Sequence, residues 1–237
     1  RLGILLCDEH HPDSIKNYGT YDNDYKSMIE AVMPGQWQYS VWRCYEGSFP
    51  SSVDSCDAWI ISGSKSAAYD TDPWIQQIKA LVVELDRSQA LLVGICFGHQ
   101  LIHQALGGEV QKFHGGWGLG PYPVKTTAAF GDFKAGDIIR ILAVHQDQVI
   151  QSAPGFSLLA TSDFCMNAIA HKEPSILTCQ AHPEFVDGFF RDICLRLRET
   201  VENRLIDKAL SEVGLPDDRM QVGKTIVHFL AGKGLTF

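Results

Sequence analysis

In the run Gly94-Ile95-Cys96-Phe97-Gly98-His99-Gln100, a cysteine stands with one glycine two residues before it and another two residues after it. The apolar segment Ala90-Leu91-Leu92-Val93-Gly94-Ile95 leads into it, and a helical pattern from Gly98 to Leu106, closed by Gly107-Gly108, leads away. A strand, a sharp turn and a helix therefore meet at Cys96, which is the layout of a nucleophile elbow. Side chains at 94 and 98 would collide across so tight a turn, so small residues belong there. A thiol in that turn would stand above the carboxyl edge of the sheet, where doubly wound folds bind their ligands. It would also sit at a helix N-terminus, whose dipole favours the thiolate. Free cysteines are more often small core residues, but the glycines and the strand-to-helix setting favour chemistry at this one.

A thiol nucleophile needs a base, and the base needs a group to orient it. Gln180-Ala181-His182-Pro183-Glu184-Phe185 supplies both, directly after a strand predicted over Ile176 to Cys179. Pro183 stiffens the link between imidazole and carboxylate. Alone, this segment would read as a surface histidine beside a turn proline; paired with the elbow, it reads as base and orienting acid. His99 and His103, four apart on one helix, have a spacing that could hold a metal. No third ligand accompanies them, so packed or solvated histidines are the plainer reading, and neither metal nor cofactor is expected. His10-His11-Pro12 follows the first strand, either bordering the site or forming a polar loop.

These groups can meet only if a sheet brings them together. Leu2 to Cys7 reads as a first strand, Tyr21 to Met33 as a helix, and Trp37 to Tyr45 and Ala58 to Ile61 as further extended segments. Asp72-Pro73 opens the next helix, with Asp72 expected as N-cap and Pro73 in the first turn. Trp74, Ile75, Ile78, Leu81, Val82 and Leu85 fall on one stripe of it, the spacing of a face packed on a sheet. Alternation of apolar strands with helices predicts a parallel sheet covered on both faces. From Glu109 to about Cys179, short alternating strands separated by Gly, Pro and Asp predict an antiparallel or mixed extension. From Val186 onward the pattern is helical, broken at Leu215-Pro216-Asp217-Asp218 before a last helix to about Ala231.

A length of 237 residues suits one large domain. The formal charge of −8, without a basic run, argues against nucleic-acid binding. No apolar stretch approaches the ~20 residues of a membrane helix, so no membrane partner is expected. The seven cysteines are odd in number, widely spaced and never paired as CxxC, which fits reduced thiols in a cytoplasmic compartment. The start, Arg1 to Cys7, enters a core strand without a signal-peptide pattern, and the missing initiator Met suggests that numbering begins just inside the native chain.

The elbow and the distant His-Pro-Glu segment together resemble the class I glutamine amidotransferases, whose hallmarks are GxCxGxQ and a downstream HPE. The resemblance spans residue 2 to about 198. It implies a flavodoxin-like α/β fold, an open, mostly parallel twisted sheet with helices on both faces and a small antiparallel extension. The catalytic domain is then expected over 1–198, with a helical extension over 199–237 packed on it. By residue matching, Cys96 would be the nucleophile, His182 the general base and acid, and Glu184 the orienting carboxylate. In that family the cysteine forms a γ-glutamyl thioester, releasing ammonia, and water then hydrolyses it. The oxyanion would be held by the backbone amides of Phe97 and, in the loop Ile61-Ser62-Gly63-Ser64-Lys65-Ser66, of Ser64. The family usually reads GGP in that loop, and this chain departs from it at Gly63-Ser64-Lys65. Gln100 would contact the α-amino acid end of the substrate, although a helix-surface glutamine is the alternative. Trp117 and Gly118, in His114 to Gly120, would contact that same end. Val144-His145-Gln146-Asp147-Gln148-Val149 resembles the SHxDxV segment of the GMP synthase type, with His145 and Asp147 structuring a wall of the site.

Three functions follow as expectations. The first is a self-contained hydrolase of glutamine or another γ-glutamyl compound, like the stand-alone γ-glutamyl peptidases of this group. The second is a glutaminase subunit feeding ammonia to a separate synthase partner. The third is a non-catalytic binding protein of the same fold.

Overall fold

The computed structural model describes residues 1–235. The chain runs β1 (Leu2–Leu6), α1 (Pro12–Tyr18), α2 (Tyr21–Val32), β2 (Tyr39–Arg43), β3 (Ala58–Ile61), α3 (Pro73–Arg87), β4 (Leu91–Ile95) and α4 (Phe97–Ala105). Nine short strands follow: β5 (Glu109–Lys112), β6 (Gly118–Gly120), β7 (Pro123–Thr126), β8 (Ile138–Arg140), β9 (Ala143–His145), β10 (Asp147–Gln151), β11 (Phe156–Thr161), β12 (Ile169–Lys172) and β13 (Ile176–Cys179). The chain closes with α5 (Asp187–Arg196), α6 (Asn203–Glu212) and α7 (Arg219–Leu230).

The main sheet has the order β2-β1-β3-β4-β13-β12-β11-β7-β8. Its first five strands are parallel, in the flavodoxin-like order, and the remaining pairings are antiparallel. Two small antiparallel pairs, β5 with β10 and β6 with β9, stand apart from it. Alternating residues of the parallel strands feed two apolar layers. Ile4, Leu6, Ile60 and Val93 pack with Tyr25, Ile29, Phe190, Ile226 and Phe229 from α2, α5 and α7. Leu5, Trp59, Ile61 and Leu92 pack with Ile75, Ile78, Val82, Leu101 and Ile102 from α3 and α4 on the other face.

The stripe expected on α3 buries Ile75, Ile78, Val82 and Leu85, while Trp74 and Leu81 are half-buried. Asp72 occupies the N-cap position with Pro73 in the first turn, but its side chain makes no capping hydrogen bond. The C-terminal helices are tied to the rest of the chain. Arg219 at the start of α7 donates to the Phe185 carbonyl and to the carboxylates of Asp187 and Asp217. Among the described residues no helix is long and apolar enough to cross a membrane, and all seven cysteines are free.

Register explains why one edge of the sheet becomes a site. Ile61 at the end of β3 pairs with Gly94 of β4, and Ile95 of β4 pairs with Cys179 at the end of β13. The residues that follow these three ends, Ser62 to Ser64, Cys96, and Gln180 to Glu184, therefore emerge side by side.

Candidate active site

Cys96 has φ +52° and ψ −103°, a left-handed backbone that a non-glycine residue adopts only when its surroundings impose it. The imposition is visible. The Cys96 N–H donates to the Cys179 carbonyl at 2.8 Å, and its own carbonyl accepts from Gln100 N–H at 3.0 Å, so β13 and α4 grip the residue from both sides. The two glycines answer for the tightness of the turn. A Cβ on Gly94 would lie 2.6 Å from the Gly98 carbonyl, and a Cβ on Gly98 would lie 2.3 Å from the Ile61 oxygen. Gly98→Ala is accordingly expected to cost about 1–3 kcal/mol of stability by forcing backbone apart, with turnover falling as well; urea denaturation and a rate assay measure the two. An unchanged midpoint would contradict this packing.

His182 follows β13, with its N–H donating to the Leu142 carbonyl at 2.8 Å. Its ring stacks on Phe185 at 3.9 Å between centroids and only 6° between planes. Nδ1 lies 2.7 Å from Glu184 Oε1, and the two side chains are 5% and 0% exposed. An imidazole and a carboxylate shut away from water in this way hold their relative orientation without competition from solvent. Burial opposes a charge on His182. Glu184 and then Cys96 outweigh burial and raise its pKa from 6.5 to about 10. Because Cys96 supplies part of that upward shift, Cys96→Ala is expected to make His182 titrate at lower pH than in the wild-type protein. Imidazole proton shifts followed by NMR across pH 5 to 11 test this, and identical titrations would refute the coupling.

The loop after β3 is held amide by amide. Ser62 N–H donates to the Leu5 carbonyl. Gly63 N–H donates to Tyr25 Oη, Lys65 N–H to an Asp8 carboxylate oxygen, Ser66 N–H to Ser64 Oγ, and Ala67 N–H to an Asp70 carboxylate oxygen. Among the described residues, only the Ser64 amide of this run has no acceptor. Phe97, the first residue of α4, likewise has no intrahelical acceptor for its N–H, as at any helix start. The two amides expected to face an oxyanion are thus both without an acceptor among the described residues.

Gln100 is buried, and both N–H groups of its amide are engaged, with the Asp147 carbonyl at 2.8 Å and Gln180 Oε1 at 3.1 Å. Any contact with a ligand would fall to its carbonyl oxygen. Gly118 begins β6, which pairs with β9, and a Cβ there would lie 2.6 Å from His145 Nε2. Trp117 is half-buried beside it. Leu119 pairs with Val144, whose carbonyl lies 3.8 Å from Cys96 Sγ, so this strand borders the thiol. His145 Nδ1 bonds the Asp147 carbonyl at 3.0 Å and Nε2 the Tyr122 hydroxyl at 2.8 Å, while burial lowers its pKa to about 4 and keeps it neutral.

His99 and His103 are both buried, with rings 5.0 Å apart, and burial depresses both pKa values. Among the described residues no group of three metal-ligating side chains includes them. In the loop after β1, His11 caps α1 by accepting from Asp13 N–H. His10 is buried, 3.1 Å from Asp24, and packs on Tyr21 and Phe189.

Two residues went unnoticed in the sequence. Tyr21 and Tyr25 on α2 both donate to Glu184 Oε1, each at 3.2 Å, so that oxygen collects three donors while Oε2 has none among the described residues. The available signal was two tyrosines four apart on the buried face of a helix.

Fold and edge together define an α/β protein of the elbow type, with a thiol, an imidazole–carboxylate pair and two free amides gathered at the carboxyl ends of β3, β4 and β13. The chain belongs to the class I glutamine amidotransferase family, whose description, "Glutamine amidotransferase class-I", matches residues 20–196. Among its relatives are γ-glutamyl peptidase 3 of Arabidopsis thaliana, 30% identical over 98% of this chain and 96% of the relative, and γ-glutamyl peptidase 5 of the same plant, 31% identical with the same coverage. A glutamine amidotransferase from Methylobacillus flagellatus shares the fold, with a TM-score of 0.77 at 17% identity over 99% of this chain and 95% of that one.

Proposed function

We propose that this chain is a cysteine-dependent hydrolase of the γ-amide bond of glutamine or related γ-glutamyl compounds. The observation that carries the reading is the convergence, at one sheet edge, of the strained Cys96 thiol, the buried His182–Glu184 pair and the unengaged amides of Ser64 and Phe97. Cys96 Sγ, its proton already held by His182, attacks the γ-carbonyl carbon. The oxyanion of the tetrahedral intermediate accepts from the Ser64 and Phe97 N–H groups. Collapse transfers the proton from His182 to the departing amine and leaves a γ-glutamyl thioester. Water, giving a proton to His182, then attacks the thioester, and collapse releases glutamate and leaves the sulfur beside the protonated imidazole. Glu184 keeps the Nδ1 proton in place and balances the imidazolium. Gln100, Trp117 and Gly118 form the wall on the amino acid side of the substrate.

Likeness over nearly the full chain to γ-glutamyl peptidases favours a self-contained enzyme over a subunit that feeds ammonia to a synthase. The test is a panel of γ-glutamyl amides and peptides differing only in the departing amine, with glutamate and amine measured and the acyl-enzyme sought by intact mass. Release of neither product from any member, and no adduct on Cys96, would overturn the proposal. Low turnover raised by an added ATP-dependent synthase would favour the subunit reading.

A further inference from the structure

The Gly63 peptide is fixed at both ends. Its carbonyl accepts from Ser62 Oγ at 2.9 Å, and Ser62 Oγ in turn accepts from Cys7 N–H at 2.8 Å, anchoring it to the end of β1. Its N–H donates to Tyr25 Oη at 3.2 Å. In a trans peptide the carbonyl and the following N–H point in opposite directions. Holding the Gly63 oxygen on one side therefore turns the Ser64 N–H to the other, provided the preceding peptide cannot rotate. Tyr25 supplies that condition. A tyrosine hydroxyl has one proton to give and lone pairs to receive. With Gly63 N–H donating to it, its proton is left for Glu184 Oε1 at 3.2 Å or for Tyr21 Oη at 3.1 Å, and the carboxylate is the stronger acceptor. Tyr21 also donates to Glu184 but bonds no amide of the loop. A Cβ on Gly63 would meet Tyr21 Oη at 2.5 Å and His182 Cε1 at 3.0 Å, so the loop backbone lies directly against the tyrosines and the imidazole.

We propose that Tyr25 is a positioning residue that joins the two halves of the site, holding the loop that carries the Ser64 amide with the same hydroxyl that holds the Glu184 carboxylate. The role rests on the proposed function, in which Ser64 N–H stabilises the oxyanion. Tyr21 is the internal control, since it shares the carboxylate bond and lacks the loop bond.

The experiment compares Tyr25→Phe with Tyr21→Phe by three readouts. Turnover of a γ-glutamyl substrate needs both the thiolate and the aligned amides. Alkylation of Cys96 by iodoacetamide, followed on its peptide by mass spectrometry, needs the thiolate and no oxyanion. Amide hydrogen exchange at Gly63 reports the loop bond itself. In Tyr25→Phe, kcat is expected to fall about 10- to 100-fold with KM little changed, Gly63 to exchange faster, and alkylation to stay within about 5-fold of wild type. Tyr21→Phe should match it in alkylation, keep wild-type exchange at Gly63, and lose less than about 5-fold in kcat. Equal losses in the two variants, or turnover and alkylation falling together in Tyr25→Phe, would overturn the proposal. If the wild-type protein turns over no γ-glutamyl substrate, the proposed function fails separately. The Gly63 exchange comparison then decides for or against Tyr25 as the brace.

Discussion

Cys96→Ala is expected to lower γ-glutamyl turnover by about 10⁴-fold or more and to abolish the covalent adduct. The substitution removes a single sulfur atom. Alanine and cysteine meet the same steric objection to φ +52°, so the elbow should keep its shape. The bonds from Cys96 N–H to Cys179 and from Gln100 N–H to Cys96 involve only backbone and survive. Loss of activity with an unchanged thermal midpoint would therefore report chemistry and not collapse of the turn. Residual turnover within 10-fold of wild type would remove Cys96 from the mechanism. Stopped reactions of the wild-type enzyme with a slowly deacylating substrate, examined by intact mass and peptide mapping, give the complementary positive result.

His182→Ala carries the second largest expected effect, a fall in kcat of about 10³-fold. His182 must hold the thiol's proton and give it to the departing amine, and the neighbouring imidazole of His145 is poorly placed to replace it. His145 follows Val144, whose carbonyl lies 3.8 Å from Cys96 Sγ, but burial keeps it neutral and both its ring nitrogens are bonded, to Asp147 and Tyr122. Truncation leaves a ring-shaped gap against Phe185, beside a carboxylate that keeps its two tyrosine donors. Added imidazole should partly restore activity by occupying that gap, with restoration growing as the fraction of neutral imidazole grows. A variant that retains more than a tenth of wild-type kcat would show that the proton goes elsewhere. If imidazole fails to rescue an inactive but folded variant, orientation by the chain, rather than the presence of a base, is the greater contribution.

The parts of this protein legible in its sequence are those governed by local rules. Ala58 to Ile61 and Ile176 to Cys179 have the observed bounds of β3 and β13, because short apolar runs flanked by turn residues leave little room for error. The elbow was legible because two glycines flank a cysteine between a strand and a helix, and the steric reason for them is now measured in distances to the Gly98 and Ile61 carbonyls. Pairing among β7, β8, β11 and β12 was not legible, since alternation marks a strand without naming its neighbour. Nor were Tyr21 and Tyr25. Their hydroxyls act on Glu184, which stands more than 150 positions away in the chain, and nothing near a tyrosine on an amphipathic helix distinguishes a site-facing hydroxyl from a packing ring. Gln100 was legible only in part. Its motif position suggests a ligand contact, and the structure adds that its two N–H groups bond Asp147 and Gln180, which leaves that contact to its carbonyl oxygen and depends on strands far from it in sequence.

The bond from Cys96 N–H to the Cys179 carbonyl also has a consequence in time. During synthesis the thiol emerges with most of the central strands already made, while β13 and the histidine beyond it are still to come. Parallel pairing of β4 with β13 closes a long loop and belongs among the slow, late events of folding. Until it forms, Cys96 lacks the bond that holds its N–H and no base stands beside it. A partly folded chain thus carries an unarmed cysteine, and the last central strand to dock both completes the hold on the elbow and delivers the histidine.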